Sequence, residues 1–312
     1  MSLTRRRFIS AAASLAAGSV CSSMLSGGGT NDASENVFIG KVKELEARLG
    51  ARIGTVVRSS DADVHWAYRA DERFPMCSTF KLLASGSLLT HVDAGRDQLD
   101  RIVHFEIADV VDYSPITKSQ AGGDGMTLAQ LCEAALTHSD NTAGNLILEQ
   151  LGGPGGVTEF ARSLGDTKTR LDRWETELNA ATPGDPRDTT TPAAMAHCVD
   201  AMMFGNALSA SSQRQLNDWL IANKTGDAKL RAGIPASWRI GDKTGGGDHG
   251  TMNDVAVIWP PQQHPLIVSI YMTDTVASFD DRNAAFAELG RTIYELLGGD
   301  KPAQGGVAIR LN

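Results

Sequence analysis

The sequence lacks the features that mark several common classes of protein. Only four of its 312 residues are cysteines, and Cys21, Cys77, Cys132 and Cys198 are not at the short spacings of a metal site. A chain of this length needs no disulfide framework, so we expect free, buried thiols. No apolar run is long enough to span a membrane. The formal net charge of −8 argues against nucleic acid or an anionic membrane surface as the main partner.

Histidine clusters are also missing. The seven histidines are scattered, and no pair forms His-x-His or His-Glu-x-x-His. Zinc-dependent chemistry is therefore disfavoured, and we expect no metal and no other cofactor.

The N-terminus carries an export pattern. Residues 4–9, TRRRFI, match the twin-arginine motif, and a short apolar stretch runs from Ile9 to Val20. We predict that residues 1–34 are a twin-arginine signal peptide followed by a Gly- and Ser-rich tether from Ser26 to Ser34, and that the protein is periplasmic. Lipid attachment at Cys21 is an alternative, although Val20 suits the processing of such an anchor poorly.

The remaining chain has an average globular composition, with 42% hydrophobic and 21% charged residues. A helical pattern and two strand-like runs come first, a long helical block follows, and three strand-like runs and a last helix close the chain. This order predicts an α+β fold in which both chain ends build a five-stranded antiparallel sheet. We assign residues 35–68 and 224–300 to an α/β domain, 69–223 to an inserted all-α domain and 301–312 to a tail.

Three short motifs carry candidate chemistry. Ser78 precedes Lys81 by one helical turn, which places an amine beside a serine hydroxyl that needs a base to become nucleophilic. Alone, such a pair is more often a capped helix with a surface lysine. Ser139-Asp140-Asn141 lies between two helices and is by itself typical of an ordinary helix cap. Lys243-Thr244-Gly245 ends a strand, where it would equally suit a plain glycine turn.

In this order, the three motifs resemble the set found in class A β-lactamases and penicillin-binding proteins. The resemblance covers about residues 37–298 and implies a β-lactamase/transpeptidase-like fold with the active site between the two domains. A fourth segment separates the two families, because Arg173 to Asn179 and Asp188 resemble the ends of the class A Ω-loop, at about residues 170–188. The substrates implied are small-molecule β-lactams, and we expect a monomer.

The resemblance also implies a role for each site residue. Ser78 is the nucleophile, Lys81 or Glu175 is its base, Ser139 passes a proton to the leaving nitrogen, and Glu175 activates the hydrolytic water. The other implied roles are substrate binding by Lys243, Thr244, Gly245 and Asn141, an oxyanion hole of the Ser78 and Gly246 N–H groups, water placement by Asn179, the cleft entrance at Tyr113, packing by Cys77, and loop closure by Arg173 with Asp188.

Two further points concern the substrate. Many class A enzymes place an arginine where this chain has Met252, so we expect Arg231 to supply the second cation for the substrate carboxylate. Gly246 and Gly247 leave Cys77 without a cysteine partner there, so the disulfide-stapled pattern of carbapenemases is absent, which disfavours carbapenem hydrolysis. The sequence otherwise leaves the antibiotic spectrum open. The alternatives to a β-lactamase are a cell-wall D,D-peptidase, a covalent β-lactam sensor and a non-catalytic binding protein.

Replacing Arg5 and Arg6 by lysine should block export and lower resistance in an expressing cell, since the motif requires both arginines. Periplasmic activity on a chromogenic cephalosporin measures this. Arg7→Lys is a matched control, because the pattern accepts any residue there. Unchanged periplasmic activity in the double variant would show that another route is used.

Overall fold

The computed structural model describes residues 28–299, which fold around one antiparallel sheet. The signal motif, Cys21 and the predicted C-terminal tail lie outside these residues. Strand order across the sheet is β2-β1-β9-β8-β7, so the first and last strands of the described chain pair directly. The elements in chain order are α1 (Gly28–Leu49), β1 (Arg52–Ser59), β2 (His65–Tyr68), β3 (Phe74–Pro75), α2 (Phe80–Asp93), β4 (Ile102–Val103), β5 (Met126–Thr127), α3 (Leu128–Thr137), α4 (Asn141–Gln150), α5 (Pro154–Ser163), β6 (Thr189–Thr190), α6 (Pro192–Met203), α7 (Ala210–Ile221), α8 (Leu230–Gly233), β7 (Arg239–Gly246), β8 (Met252–Trp259), β9 (Leu266–Thr273) and α9 (Phe279–Leu296).

The sheet separates two hydrophobic cores. Side chains alternate between its faces, so Met252 and Ala256 of β8 pack with Phe38 of α1 and Leu289 of α9. Val255 of the same strand packs into the second core, which belongs to the helical block. The predicted α+β architecture, with a five-stranded sheet built from both chain ends, is confirmed.

Local signals located several elements well. Thr127 and Gln130, whose Thr-x-x-Gln spacing predicts a capping box, form one at the start of α3. The Gln130 amide donates to Thr127 Oγ1 at 3.2 Å, and the Thr127 amide donates to Gln130 Oε1 at 2.8 Å. The sequence pattern predicts the three late strands at residues 239–243, 255–259 and 266–272 and the last helix at about 278–297, and β7, β8, β9 and α9 lie within three residues of these positions.

The structure corrects the predicted tether. Helix α1 begins at Gly28, so residues 28–34 are helical and do not form a flexible connection. The reason is tertiary, because two side chains of this turn bind the edge strand β2. Asn31 Oδ1 accepts the Trp66 indole N–H at 3.0 Å, and Glu35 Oε1 accepts the Ala67 amide at 3.2 Å.

The inserted block is not purely helical. It contains two pairs of two-residue strands, β3 with β6 and β4 with β5. The β3–β6 pair ties the segment before Ser78 to the end of the predicted Ω-loop. Helix α5 was not predicted, and it begins with Pro154 at its first position, where a missing N–H costs no hydrogen bond.

The three cysteines within residues 28–299 are buried and unpaired, as expected. Burial raises the pKa of the Cys132 thiol to about 12, so this thiol stays protonated and unreactive. None of the helices in the same range combines the length and apolar character needed to cross a membrane.

Candidate active site

Ser78 lies on a tight turn between β3 and α2. The turn is a single 3-10 turn, Cys77–Thr79, and Cys77 adopts a left-handed φ of 44°. Asn253 of β8 holds it from the sheet, because its Nδ2 donates to the Pro75 and Met76 carbonyls at 2.9 Å each. Cys77 is fully buried, and burial raises the pKa of its thiol. It packs beside the candidate nucleophile and does not replace it.

Lys81 is the centre of the polar cluster. Its fully buried ammonium donates to Ser78 Oγ at 2.9 Å, to the Ser139 carbonyl at 2.9 Å and to Asn141 Oδ1 at 2.6 Å. Glu175 Oε1 lies 2.8 Å from the same nitrogen and 3.3 Å from Ser78 Oγ. The serine hydroxyl therefore contacts both a lysine nitrogen and a carboxylate, which are the two candidate acceptors of its proton.

The segment that carries Glu175 is closed at its base by an ion pair. Arg173 Nε lies 2.6 Å from Asp188 Oδ2, and Asp188 Oδ1 accepts the amides of Asp172 and Arg173 at 2.7 and 2.9 Å. The Asp188 carbonyl also accepts the Met76 amide at 2.8 Å. The Asp188 carboxylate thus joins the two ends of the loop, and the Asp188 carbonyl attaches them to the segment before the nucleophile.

Two asparagines orient Glu175 inside this loop. Asn179 Nδ2 donates to Glu175 Oε2 at 2.6 Å. Asn145 of α4 accepts the Glu175 amide at 2.9 Å and donates to the Glu175 carbonyl at 3.0 Å. Sequence reasoning missed Asn145. Its spacing of four residues from Asn141 places both on one helix face and would have identified it.

Lys243 and Ser139 form a second proton-carrying pair. Lys243 Nζ donates to Ser139 Oγ at 3.0 Å and to the Thr244 carbonyl at 2.7 Å. Burial, reinforced by the charge of Lys81, holds the pKa of Lys243 well below its usual range. An amine that gives up a proton readily therefore contacts a hydroxyl on the cleft wall.

The loop that carries Ser139 is fixed by its neighbour Asp140. Asp140 Oδ2 accepts the amides of Ile116 and Thr117 at 2.9 Å each, and Oδ1 accepts the Ala143 amide at 2.9 Å, which caps α4. Asn141 donates to the Asp112 carbonyl at 2.9 Å. These bonds join the Ser139 motif to the segment that carries Tyr113, which is 62% exposed at the cleft.

These groups surround one open cleft of about 540 Å³. Lys81, Glu175 and Lys243 lie just behind its wall, where they contact Ser78 and Ser139. The cleft is lined by Ser78, Tyr113, Ser139, Asn141, Asn179, Lys224, Thr225, Lys229, Thr244, Gly245, Gly246, Thr251, Met252 and Phe279.

A model of the β-lactamase enzyme family matches residues 38–297. The chain belongs to this family. Among curated relatives, β-lactamase AST-1 of Nocardia asteroides is 44% identical over 299 residues, covering 94% of this chain and 96% of that protein. β-Lactamase FAR-1 of Nocardia farcinica (strain IFM 10152) is 50% identical over 255 residues, covering 81% and 80%.

Solved structures agree. An ancestral class A β-lactamase, GNCA, is 56% identical with a TM-score of 0.81, covering 83% of this chain and 99% of that chain. The chain is therefore a class A β-lactamase by family.

In this β-lactamase, Arg231 does not reach the cleft, which corrects the expected second cation. Its guanidinium donates to Asp242 Oδ1 at 2.5 Å and to the Leu220 and Ile221 carbonyls at 2.9 and 3.2 Å. Asp242 is fully buried, so the pair is structural. The sequence could not show which way a residue of the four-residue helix α8 points.

Lys229, two residues earlier, lines the cleft instead. It is 6% exposed, and its Nζ donates to the Thr225 carbonyl at 3.2 Å and lies 5.3 Å above the Phe279 ring. Thr225 in turn contacts the Thr244 hydroxyl at 2.5 Å. The candidate second cation is thus Lys229, which sequence reasoning passed over because no motif contains it.

Replacing Arg231 by alanine should lower the free energy of unfolding by about 3–5 kcal/mol, because it leaves Asp242 buried without its partner. Urea denaturation measures this. Arg239→Ala is the control, since that exposed guanidinium stacks on the Trp259 ring at 4.6 Å and its loss should cost no more than about 1 kcal/mol. Unchanged stability combined with weaker penicillin binding would contradict the structural role.

Proposed function

We propose that this chain hydrolyses the β-lactam amide of penicillins and cephalosporins through an acyl-enzyme on Ser78, and thereby confers antibiotic resistance. One observation carries the proposal. Ser78 Oγ lies 2.9 Å from Lys81 Nζ and 3.3 Å from Glu175 Oε1, so a single hydroxyl contacts groups suited to both halves of a hydrolytic cycle.

Acylation begins when Ser78 loses its proton and its oxygen attacks the lactam carbonyl carbon. The proton has two routes, directly to Lys81 or through a water to Glu175. The N–H groups of Ser78 and Gly246, beside Gly245, stabilise the negative charge that develops on the carbonyl oxygen. The C–N bond then breaks, and Ser139 passes its proton to the leaving nitrogen. Lys243 replaces that proton, in keeping with its lowered pKa. The proton that Lys81 or Glu175 took from Ser78 then returns to Lys243, which leaves Glu175 ionised for the next step.

Deacylation uses the opposite side of the site. Glu175, oriented by Asn145 and Asn179, removes a proton from water, and the resulting hydroxide attacks the ester carbonyl. The ester C–O bond breaks, Ser78 regains the proton that Glu175 took from water, and the ring-opened product leaves with a new carboxylate. No redox or group-transfer partner is needed to balance these steps.

The cleft wall supplies the binding groups. Thr244 and Lys243 hold the substrate carboxylate, Asn141 holds the amide of the acyl side chain, and Tyr113 covers the entrance. We place Lys229 beside them as the second cation. In the described part of the chain, Lys229 Nζ has no carboxylate within 4 Å. Its ammonium has three donors and uses one on Thr225, which leaves charge and donors for a substrate carboxylate.

The competing functions share only part of this arrangement. A D,D-peptidase or a covalent β-lactam sensor needs acylation by Ser78, yet neither needs Glu175 and Asn179 at the ester. We further propose that the enzyme acts in the periplasm after twin-arginine export, which the motif at residues 4–9 supports. The expected monomer stays a prediction.

Glu175→Gln should acylate with a penicillin and then stall, because the amide cannot accept a proton from water. Mass spectrometry of the intact protein should show one penicilloyl adduct that persists for much longer than in the parent. Ser78→Ala is the control and should show neither adduct nor turnover. Normal turnover by Glu175→Gln, or by pure Ser78→Ala, would overturn the assignment.

Lys229→Ala should lower kcat/KM for a penicillin about tenfold to hundredfold, since a charge-assisted hydrogen bond is worth roughly 1.5–3 kcal/mol. The methyl ester of the same penicillin has no carboxylate charge and should lose no more than about twofold. Lys224→Ala, which removes an exposed lysine of the same cleft, is the matched control. Equal losses on the acid and the ester would contradict the role of Lys229.

A further inference from the structure

A cluster of buried charges lies directly beneath the carboxylate-binding wall. Asp254 of β8 is the strand partner of Thr244 on β7, and Asp242 lies two residues before Thr244 on the same face. Both aspartates are fully buried. Two cations lie near them: Arg231 in α8 and Lys229 directly before that helix. The mechanism proposed above uses neither aspartate.

Asp242 is bound as an anion. Arg231 Nε donates to Asp242 Oδ1 at 2.5 Å, and Asn223 Nδ2 donates to Oδ2 at 2.9 Å. Both carboxylate oxygens therefore accept hydrogen bonds, and one comes from a permanent cation. A proton on this group would remove the best acceptor that Arg231 has.

Asp254 has the opposite surroundings. Its Oδ2 accepts a long 3.4 Å bond from the Leu230 amide, and Oδ1 accepts none within the described residues. The side chain of Asp242 is within hydrogen-bonding reach. Two carboxylates in contact and out of water cannot both be ionised, and only a protonated one can donate to the other. Burial, reinforced by the charge of Asp242, holds the pKa of Asp254 well above its usual range.

The charge balance of the cluster depends on this proton. With Asp254 neutral, Arg231 balances Asp242, and the positive charge of Lys229 has no partner within the cluster. With Asp254 ionised, the negative charges of Asp242 and Asp254 would balance the positive charges of Arg231 and Lys229. Lys229 would then have no net charge to offer to the substrate. The other charges nearby are Arg282 of α9, which faces Lys229, and Lys243 on the other face of β7; both are cations.

We propose that Asp254 is a positioning residue that stays a neutral carboxylic acid donating to Asp242, and that its neutrality reserves the charge of Lys229 for the carboxylate of the substrate. This inference rests on the proposed role of Lys229 in β-lactam binding. Asp254 would thus affect substrate binding through Lys229, without contacting the substrate or Ser78.

Kinetics of Asp254→Asn test whether Asp254 must be uncharged for substrate binding. Asparagine has the same shape, still donates to Asp242 and cannot ionise, so KM and kcat for a penicillin should stay within about twofold of the parent values. Lys229→Ala, measured alongside, should raise KM by about tenfold or more. If Asp254→Asn changes KM by clearly more than about twofold while kcat is unchanged, Asp254 acts as an anion and the proposal is wrong; KM would fall if the lost charge had been neutralising Lys229, and would rise if that charge were needed for binding.

Infrared spectroscopy of the parent enzyme tests directly whether the Asp254 carboxyl group is protonated. At neutral pH the spectrum should contain the C=O stretching band of a protonated carboxylic acid that shifts when aspartate is labelled with 13C and is absent from Asp254→Asn. Absence of such a band from the labelled parent overturns the proposal, even if the variant fails to fold. A parent that does not hydrolyse β-lactams would refute the proposed function, while the band would still report on Asp254.

Discussion

The active site depends on one buried ammonium group. Lys81 has no contact with solvent, and its nitrogen reaches a hydroxyl, a carbonyl, an amide oxygen and a carboxylate from three separate parts of the chain. A cation this deeply buried is tolerated only when paired and hydrogen-bonded, so each partner is constrained by the requirement to solvate it. Ser78 and Glu175 are brought together because both contact the same charge.

The second lysine of the site follows a different rule. Lys243 is equally buried, yet its contacts are a hydroxyl and a carbonyl, and no carboxylate lies within 4 Å of its amine in residues 28–299. Burial and the nearby charge of Lys81 lower the pKa of Lys243. The Glu175 carboxylate pairs with Lys81 instead. Two lysines that contact the same residue, Ser139, thus differ in their other partners. Lys81 also contacts Ser78 and Glu175, whereas Lys243 is placed to supply a proton to the Ser139 hydroxyl.

Much of the fold and site could be predicted because the signals are local. The capping box at Thr127, the spacing of Ser78 and Lys81, and the pairing expected for Arg173 and Asp188 all depend on neighbours in sequence or on a short loop. The predictions that were wrong concern segments whose structure is set by long-range contacts. The start of α1 is fixed by the distant strand β2, and Arg231 turns toward Asp242 because a buried carboxylate attracts it more strongly than an open cleft does.

The bond from Asn253 to the turn before Ser78 spans 177 residues, and that from Lys243 to Ser139 spans 104. Strand β8 lies between β9 and β7, and β9 pairs with β1 near the other end of the described chain. A growing chain therefore has no nucleophile in working geometry until nearly all of it has been synthesised, and long-range pairing of this kind is slow. The working geometry of Ser78 thus requires nearly all of the described chain, and a chain that ends before β8 lacks the contact that holds the turn before Ser78.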